Sequence, residues 1–157
     1  MIILGIDPGY ERLGVAILEK KESKEKLLFS SCIKTQAKTP FSERLFILGK
    51  ELEKIFKKWK PDVTAIEKLF FTTNQKTAMR VSEARGLVIY LAMLYKTEVR
   101  EFTPLEIKTA VVGYGKAEKQ QVAHMVKTIL KIDNSKRYDD ETDAIACALT
   151  CSATLRG

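Results

Sequence analysis

The apolar positions of this chain fall first into short blocks and then into stripes of three- and four-residue spacing. Residues 2–6, Ile-Ile-Leu-Gly-Ile, are broken by Asp7-Pro8-Gly9, and a second block follows at 15–18, which predicts two antiparallel strands joined by a polar loop. Residues 27–33 read as a third strand. The Lys- and Glu-rich stretch between them, 19–26, reads as a solvated hairpin end without a function of its own. Thr39 and Pro40 then open a helix as cap and first-turn residue, and Phe41, Leu45, Leu48, Leu52, Ile55, Phe56 and Trp59 form its core stripe. After Pro61, residues 63–66 predict a short buried strand that ends at Glu67.

A long helix is expected from about Asn74 to Tyr95, carrying Val81, Ala84, Val88, Leu91 and Tyr95, and residues 98–102 give a fifth strand. Thr103-Pro104-Leu105-Glu106 is a capping box for a brief helix that stops before Gly113-Tyr114-Gly115. Val122, Met125, Val126 and Ile129 mark a further amphipathic helix. A polar loop at 131–139 leads to a last helix, whose Ala144, Ala146, Cys147 and Ala148 are small enough to let it lie close against a sheet. Meandering strands pair antiparallel and helix-separated strands return parallel through right-handed crossovers. The fold class expected is α/β, a mixed five-stranded sheet with helices on its faces.

Length and composition narrow this to one domain, residues 1–157, of ordinary globular make-up, with 45% hydrophobic residues and no repeat. The excess of 27 Lys and Arg over 20 Asp and Glu, a net charge of +7, favours an anionic partner, nucleic acid or a membrane surface. Residues 1–6 lack a basic leader, and no segment reaches the roughly 18 uninterrupted apolar residues of a membrane span. A cytoplasmic protein without a membrane partner is expected. Cys32, Cys147 and Cys151 have no second ligand pair at zinc spacing and read as buried, reduced thiols.

The chemistry lies in the acids. A fourth strand lying parallel to the first and beside it puts Asp7 and Glu67 at the carboxyl ends of neighbouring strands, about 4.8 Å apart across the sheet. Each terminates an apolar strand, where an unpaired carboxylate is costly to desolvate, so the pair calls for a cation. On the last helix Asp140 and Asp143 are three residues apart and share a face, with Cβ atoms about 5–6 Å from each other. Asp139 and Glu141 read as ordinary acids at a helix start, whereas Asp143 is crowded by small apolar residues on the packed side. Four carboxylates without a histidine cluster make a hard oxygen-donor site suited to Mg²⁺, with Mn²⁺ able to substitute. Two such ions about 3.5–4 Å apart can activate water and stabilise the departing oxygen of a phosphodiester.

Five motifs in order then bring a family into view: Gly-Ile-Asp-Pro-Gly at 5–9, Ala-Ile-Glu at 65–67, Ser-Glu-Ala-Arg-Gly at 82–86, Val-Val-Gly-Tyr-Gly-Lys-Ala-Glu-Lys at 111–119, and Asp140-x-x-Asp143-Ala. Along essentially its whole length the chain resembles the RuvC family of bacterial Holliday-junction resolvases. The resemblance implies a ribonuclease-H-like fold and a homodimer with two active sites. It also implies Mg²⁺-dependent, symmetrical nicking of opposite strands of four-way junction DNA in recombination and repair. The expected mechanism is in-line attack by metal-activated water, leaving 5′-phosphate and 3′-hydroxyl ends.

By position, Asp7, Glu67, Asp140 and Asp143 match the family's catalytic and metal-binding acids, with Asp7 expected to be the least replaceable. Asp139 is a near miss, since it could also pair with Asp143 one turn on. Lys108 and Lys119 match lysines that approach the DNA backbone, and Phe70 matches an aromatic that meets an unpaired base, with Phe71 beside it. Helix 74–95 resembles the dimer-forming element. A branch-migration motor of the RuvA and RuvB type is the implied partner. His124, the single histidine, is expected to be structural.

Three other functions fit parts of the pattern. Asp7-Pro8-Gly9 before a hairpin resembles the phosphate turn of actin-like ATPases and sugar kinases, but those enclose a nucleotide between two lobes, and no P-loop motif is present. A junction-binding module without chemistry would have no need of all four acids. A nuclease of the same fold acting on RNA or flaps shares the chemistry, because fold does not choose substrate.

Overall fold

A computed structural model describes residues 1–22, 24–69, 74–133 and 137–155. Its centre is a five-stranded sheet in the order β3-β2-β1-β4-β5. Strands β1 (Ile2–Asp7), β2 (Arg12–Lys21) and β3 (Lys24–Lys34) form the antiparallel meander. Helix α1 (Phe41–Trp59) carries the chain over to β4 (Val63–Glu67), which lies parallel to β1, and α2 (Gln75–Leu94) carries it on to β5 (Glu98–Phe102), parallel to β4. Then come α3 (Pro104–Val112), α4 (Lys119–Leu130) and α5 (Asp139–Thr154). This is the expected ribonuclease-H-like α/β arrangement.

Helices cover both faces of the sheet. On one face Leu4, Ile6, Val15 and Ile17 pack with Leu48, Leu52 and Phe56 of α1 and Val88 of α2. On the other, Ile3, Ala16 and Ala65 pack with Ile107 of α3, Val122 of α4 and Ile145 of α5. This split follows from the two-residue period of the strands, which sends alternate side chains to opposite faces. Because β1 and β4 are central, both of their faces are buried and they read as continuous apolar runs.

Helix α5 lies closest to the sheet. A Cβ placed on Gly5 would come within 2.1 Å of the Ala144 carbonyl oxygen, and one on Gly14 within 1.9 Å of the Asp140 carbonyl oxygen. The small residues of α5 therefore face strand positions that have no side chain at all, which brings the helix start up against the end of β1.

Several expectations need correction. Strands β2 and β3 run through most of 19–26, because their register places Glu19 opposite Lys26 and Lys20 opposite Glu25, pairs of opposite charge that stabilise a ladder. Nor is this hairpin end merely solvated. Lys20 Nζ donates to the carbonyls of Ser152 (2.6 Å) and Leu155, and Ser152 Oγ donates to Glu25 (2.8 Å), so the hairpin ties down the last turn of α5. At α1 it is Pro40 that stands at the N-cap, with Phe41 as the first helical residue and no side-chain cap from Thr39. The predicted box at α3 is present, with Thr103 and Glu106 each bonding the other's backbone N–H. Cys147 and Cys151 are buried, whereas Cys32 is only half-buried, on β3. Among the described residues no helix is long and apolar enough to cross a membrane.

Candidate active site

The strand register fixes the first half of the site. Ile6 pairs with Ile66 across the parallel β1–β4 ladder, so the next residues, Asp7 and Glu67, leave neighbouring strand ends together. The end of β4 is held in place by the Lys68 N–H, which donates to the Phe102 carbonyl of β5 (2.8 Å). Helix α5 supplies the second half: its start is pressed against Gly14 of β2, and Gly14 lies opposite Asp7 in the β1–β2 register. Asp7, Glu67, Asp140 and Asp143 accordingly line one cavity of about 410 Å³, together with Lys68, Lys108 and Lys119. Pro104, Ile107, Val122 and Ala146 form its apolar wall.

The electrostatics are those of crowded, dehydrated carboxylates. Burial pushes the Asp7 carboxyl up from 3.8 to about 8, and the negative charges of Glu67, Asp143 and Asp140 add to the effect. Glu67 rises from 4.5 to about 7, again first by burial and then by Asp143, against the opposing pull of Lys119, a hydrogen bond with Asp7, and Lys108. Asp143 is also raised by burial, with Lys119 opposing. Lys119 Nζ sits 3.3 Å from Asp143 Oδ2, and this carboxylate holds the lysine's proton more tightly than usual.

Asp140 meets a different cation. Its Oδ2 lies 3.3 Å from Arg12 Nε, at the first residue of β2. Arg12 carries no signal in the sequence, because a charged residue at a strand start is unremarkable until β2 is seen to run beside the start of α5. Asp139 is exposed and does not line the cavity, which separates it from Asp140. Glu141 accepts from the Tyr138 N–H (3.4 Å) and from Ser30 Oγ (2.9 Å), consistent with its place as a helix-start acid. His124 is exposed on α4, outside both the core and the cavity. Phe70 and Phe71 lie outside the described residues.

A pH dependence follows from these shifts. The folded-state pKa values of Asp7 and Glu67 lie above their ordinary ones, so the stability they contribute is fully present below about pH 4 and drains away as the pH rises to about 8. In EDTA, the Tm of Asp7→Asn should therefore match the wild type near pH 4 and exceed it at pH 8.5, at about 2–4 °C per kcal/mol of relieved strain. A constant difference across that range would contradict the raised pKa of Asp7.

The profile described as "Crossover junction endodeoxyribonuclease RuvC" matches residues 3–151. This chain belongs to the RuvC family. Curated members similar to it include the Alkaliphilus metalliredigens protein, 44% identical over 95% of this chain and 91% of that one. The Rickettsia bellii protein is 42% identical over 98% of each. Among solved structures, Thermus thermophilus RuvC superposes with a TM-score of 0.88 at 32% identity, covering 98% of this chain and 94% of that one. The same protein in complex with a Holliday junction substrate superposes at 0.91, covering 97% and 93%. The yeast mitochondrial Holliday junction resolvase, at 16% identity and a TM-score of 0.67, shares the fold. Family membership makes the chain a nuclease, and the cavity with four acids is the one place among the described residues where carboxylates and lysines gather at the ends of β1 and β4.

Proposed function

We infer that this chain is a Holliday-junction resolvase, one nuclease domain over residues 1–157 that nicks opposite strands of a four-way DNA junction and leaves 5′-phosphate and 3′-hydroxyl ends. The observation that supports it most is the convergence of Asp7, Glu67, Asp140 and Asp143 on a cavity edged by Lys108 and Lys119. To this is added the likeness, over 97% of the chain, to a protein solved with a Holliday junction substrate.

The donor set fits a hard divalent cation. It is all carboxylate oxygen, and Asp7 and Glu67 are pushed toward neutrality by burial first and then by the neighbouring carboxylates, Glu67 and Asp143 acting on Asp7 and Asp143 on Glu67, a state that a bound cation would reverse. Asp7, Glu67, Asp140 and Asp143 would hold Mg²⁺, two ions per site, or Mn²⁺ in its place. Bound there, such ions supply Lewis acidity, making water a stronger nucleophile and neutralising charge on the phosphodiester oxygens. Asp7 is the hub, since each of the other three acids acts on it. Lys108 and Lys119, at the rim, serve as point charges for the phosphates flanking the cut. The apolar wall limits water beside the reacting phosphate. Phe70 is assigned to a base at the junction centre.

The protein is further proposed to act as a cytoplasmic homodimer, presenting two sites to opposite strands, with a RuvA- and RuvB-type motor delivering junctions. Support for the dimer comes from α1 and α2, which leave Phe46, Met79, Tyr90, Met93 and Leu94 exposed. Sedimentation should give twice the 17.8 kDa chain mass, and a monomer at micromolar concentration would argue against it.

The deciding experiment is incubation of a labelled mobile four-way junction with Mg²⁺, beside matched linear duplex and RNA–DNA hybrid. Paired nicks in the junction alone are expected. Cutting of the hybrid instead would keep the chemistry and replace the substrate. Binding to the junction in EDTA should weaken with salt along a log–log slope of about −0.9 per phosphate neutralised. A flat dependence would remove Lys108 and Lys119 from the DNA interface.

A further inference from the structure

Both cavity-lining acids of α5 are already occupied by protein cations. Asp143 takes Lys119 at 3.3 Å, and Asp140 takes Arg12 at 3.3 Å. Among the described residues no three His, Cys, Asp or Glu side chains stand together in a ready ligand set, although the four acids share the cavity. A metal ion and the Arg12 guanidinium thus compete for the same carboxylate. The other neighbour of Asp140, Cys32 Sγ at 4.0 Å, is too distant to hold it firmly.

Arg12 works from a fixed base. Thr35 clamps the turn before it, donating from Oγ1 to the Tyr10 carbonyl (2.5 Å) and from its N–H to the Glu11 carbonyl (3.0 Å). Arg44, only 3% exposed, in turn donates from Nε to Thr35 Oγ1 (2.8 Å). With its backbone anchored, the Arg12 side chain has two directions, inward to Asp140 or outward to solvent, and at 56% exposure it stands at the rim of the site. A guanidinium at such a rim matches phosphate at least as well as carboxylate, since its planar fork bonds either in two places.

We propose that Arg12 is a positioning residue that holds Asp140 until a DNA phosphate draws the guanidinium outward, so that substrate binding releases Asp140 to the metal. Resting on the reading of the four acids as a metal site, this couples metal loading to the presence of DNA. The coupling is reciprocal by linkage, so breaking the ion pair must help metal binding without DNA and must help DNA binding without metal.

Two titrations of the full chain test it. In calorimetry with Mn²⁺ and no DNA, Arg12→Gln should bind about three- to tenfold tighter than wild type, the scale of a partly exposed ion pair plus one removed positive charge. Arg12→Lys should return near the wild-type value. Lys34→Gln, which removes another charge acting on Cys32 beside Asp140, should change it less than twofold. In EDTA, Asp140→Asn should tighten junction binding more than Asp139→Asn, and the excess should vanish in the Arg12→Gln background. Equal tightening by Arg12→Gln and Lys34→Gln, or an excess that persists without Arg12, overturns the proposal. Mn²⁺ binding by wild type with no change in Arg12→Gln removes Arg12 alone, whereas no Mn²⁺ binding by either protein removes the metal-site reading and this proposal with it.

Discussion

Asp7→Asn should bind a four-way junction in EDTA at least as tightly as wild type and, with Mg²⁺, cut it about a thousandfold slower, on the order of 4 kcal/mol added to the barrier. The substitution keeps the shape of the side chain but replaces a carboxylate oxygen with an amide nitrogen, which would be a poor donor to a hard cation. Asp7 is where that loss is largest. Its carboxyl is raised by burial and then by all three of the other cavity acids. With its carboxyl raised to about 8, Asp7 carries little charge in EDTA near neutral pH, so the amide changes little that DNA phosphates feel and binding should not weaken. Asp139→Asn is the matched control: it removes the same charge from an exposed position at the start of the same helix, and should keep cutting within about threefold of wild type. A large loss from both substitutions would mean that net charge, rather than the geometry around Asp7, carries the activity.

Much of this site was legible in the sequence because its parts are marked by abrupt changes of chemistry. Ile-Leu-Gly-Ile-Asp and Thr-Ala-Ile-Glu each pass from buried strand to carboxylate in one residue, and parallel pairing of β1 with β4 brings those ends together as expected. Asp140 was separable from Asp139 by family register, and the structure places it in the cavity while leaving Asp139 exposed. What could not be read were contacts between distant segments. Arg12 lies beyond the loop that follows Asp7, and nothing in β2 announces that the start of α5 will lie against it. Arg44 falls off the apolar stripe of α1 and would be taken for a surface residue, yet it is buried because Thr35 and the Tyr10 ring provide its surroundings. The 19–26 stretch reads as a solvated end because its Lys and Glu carry no hydrophobic period. Its partners, the last carbonyls of α5, are more than a hundred residues away.

Gly14→Ala should be nearly as damaging to cutting as the loss of an acid, by geometry alone. The added methyl would sit 1.9 Å from the Asp140 carbonyl oxygen and 2.4 Å from its carbonyl carbon. These are backbone atoms, so no rotamer change relieves the overlap, and the first turn of α5 must move away from β2. Overpacking of this kind costs about 1–3 kcal/mol, sometimes more, and should lower Tm by about 2–4 °C for each kcal/mol in a chain of this size. The effect on activity should exceed what stability predicts. Gly14 faces Asp7 across the β1–β2 ladder, so the shift separates Asp140 and Asp143 from Asp7 and Glu67. A misplacement of about 1 Å in such a constellation can cost about a hundredfold in rate. Gly5→Ala provides the comparison, because its methyl would strike the same helix further along, 2.1 Å from the Ala144 carbonyl oxygen. If the packing of α5 sets the site, Gly14→Ala should lose more activity than Gly5→Ala at equal loss of Tm. Full cutting by folded Gly14→Ala protein would show that the acids of α5 find their places independently of β2.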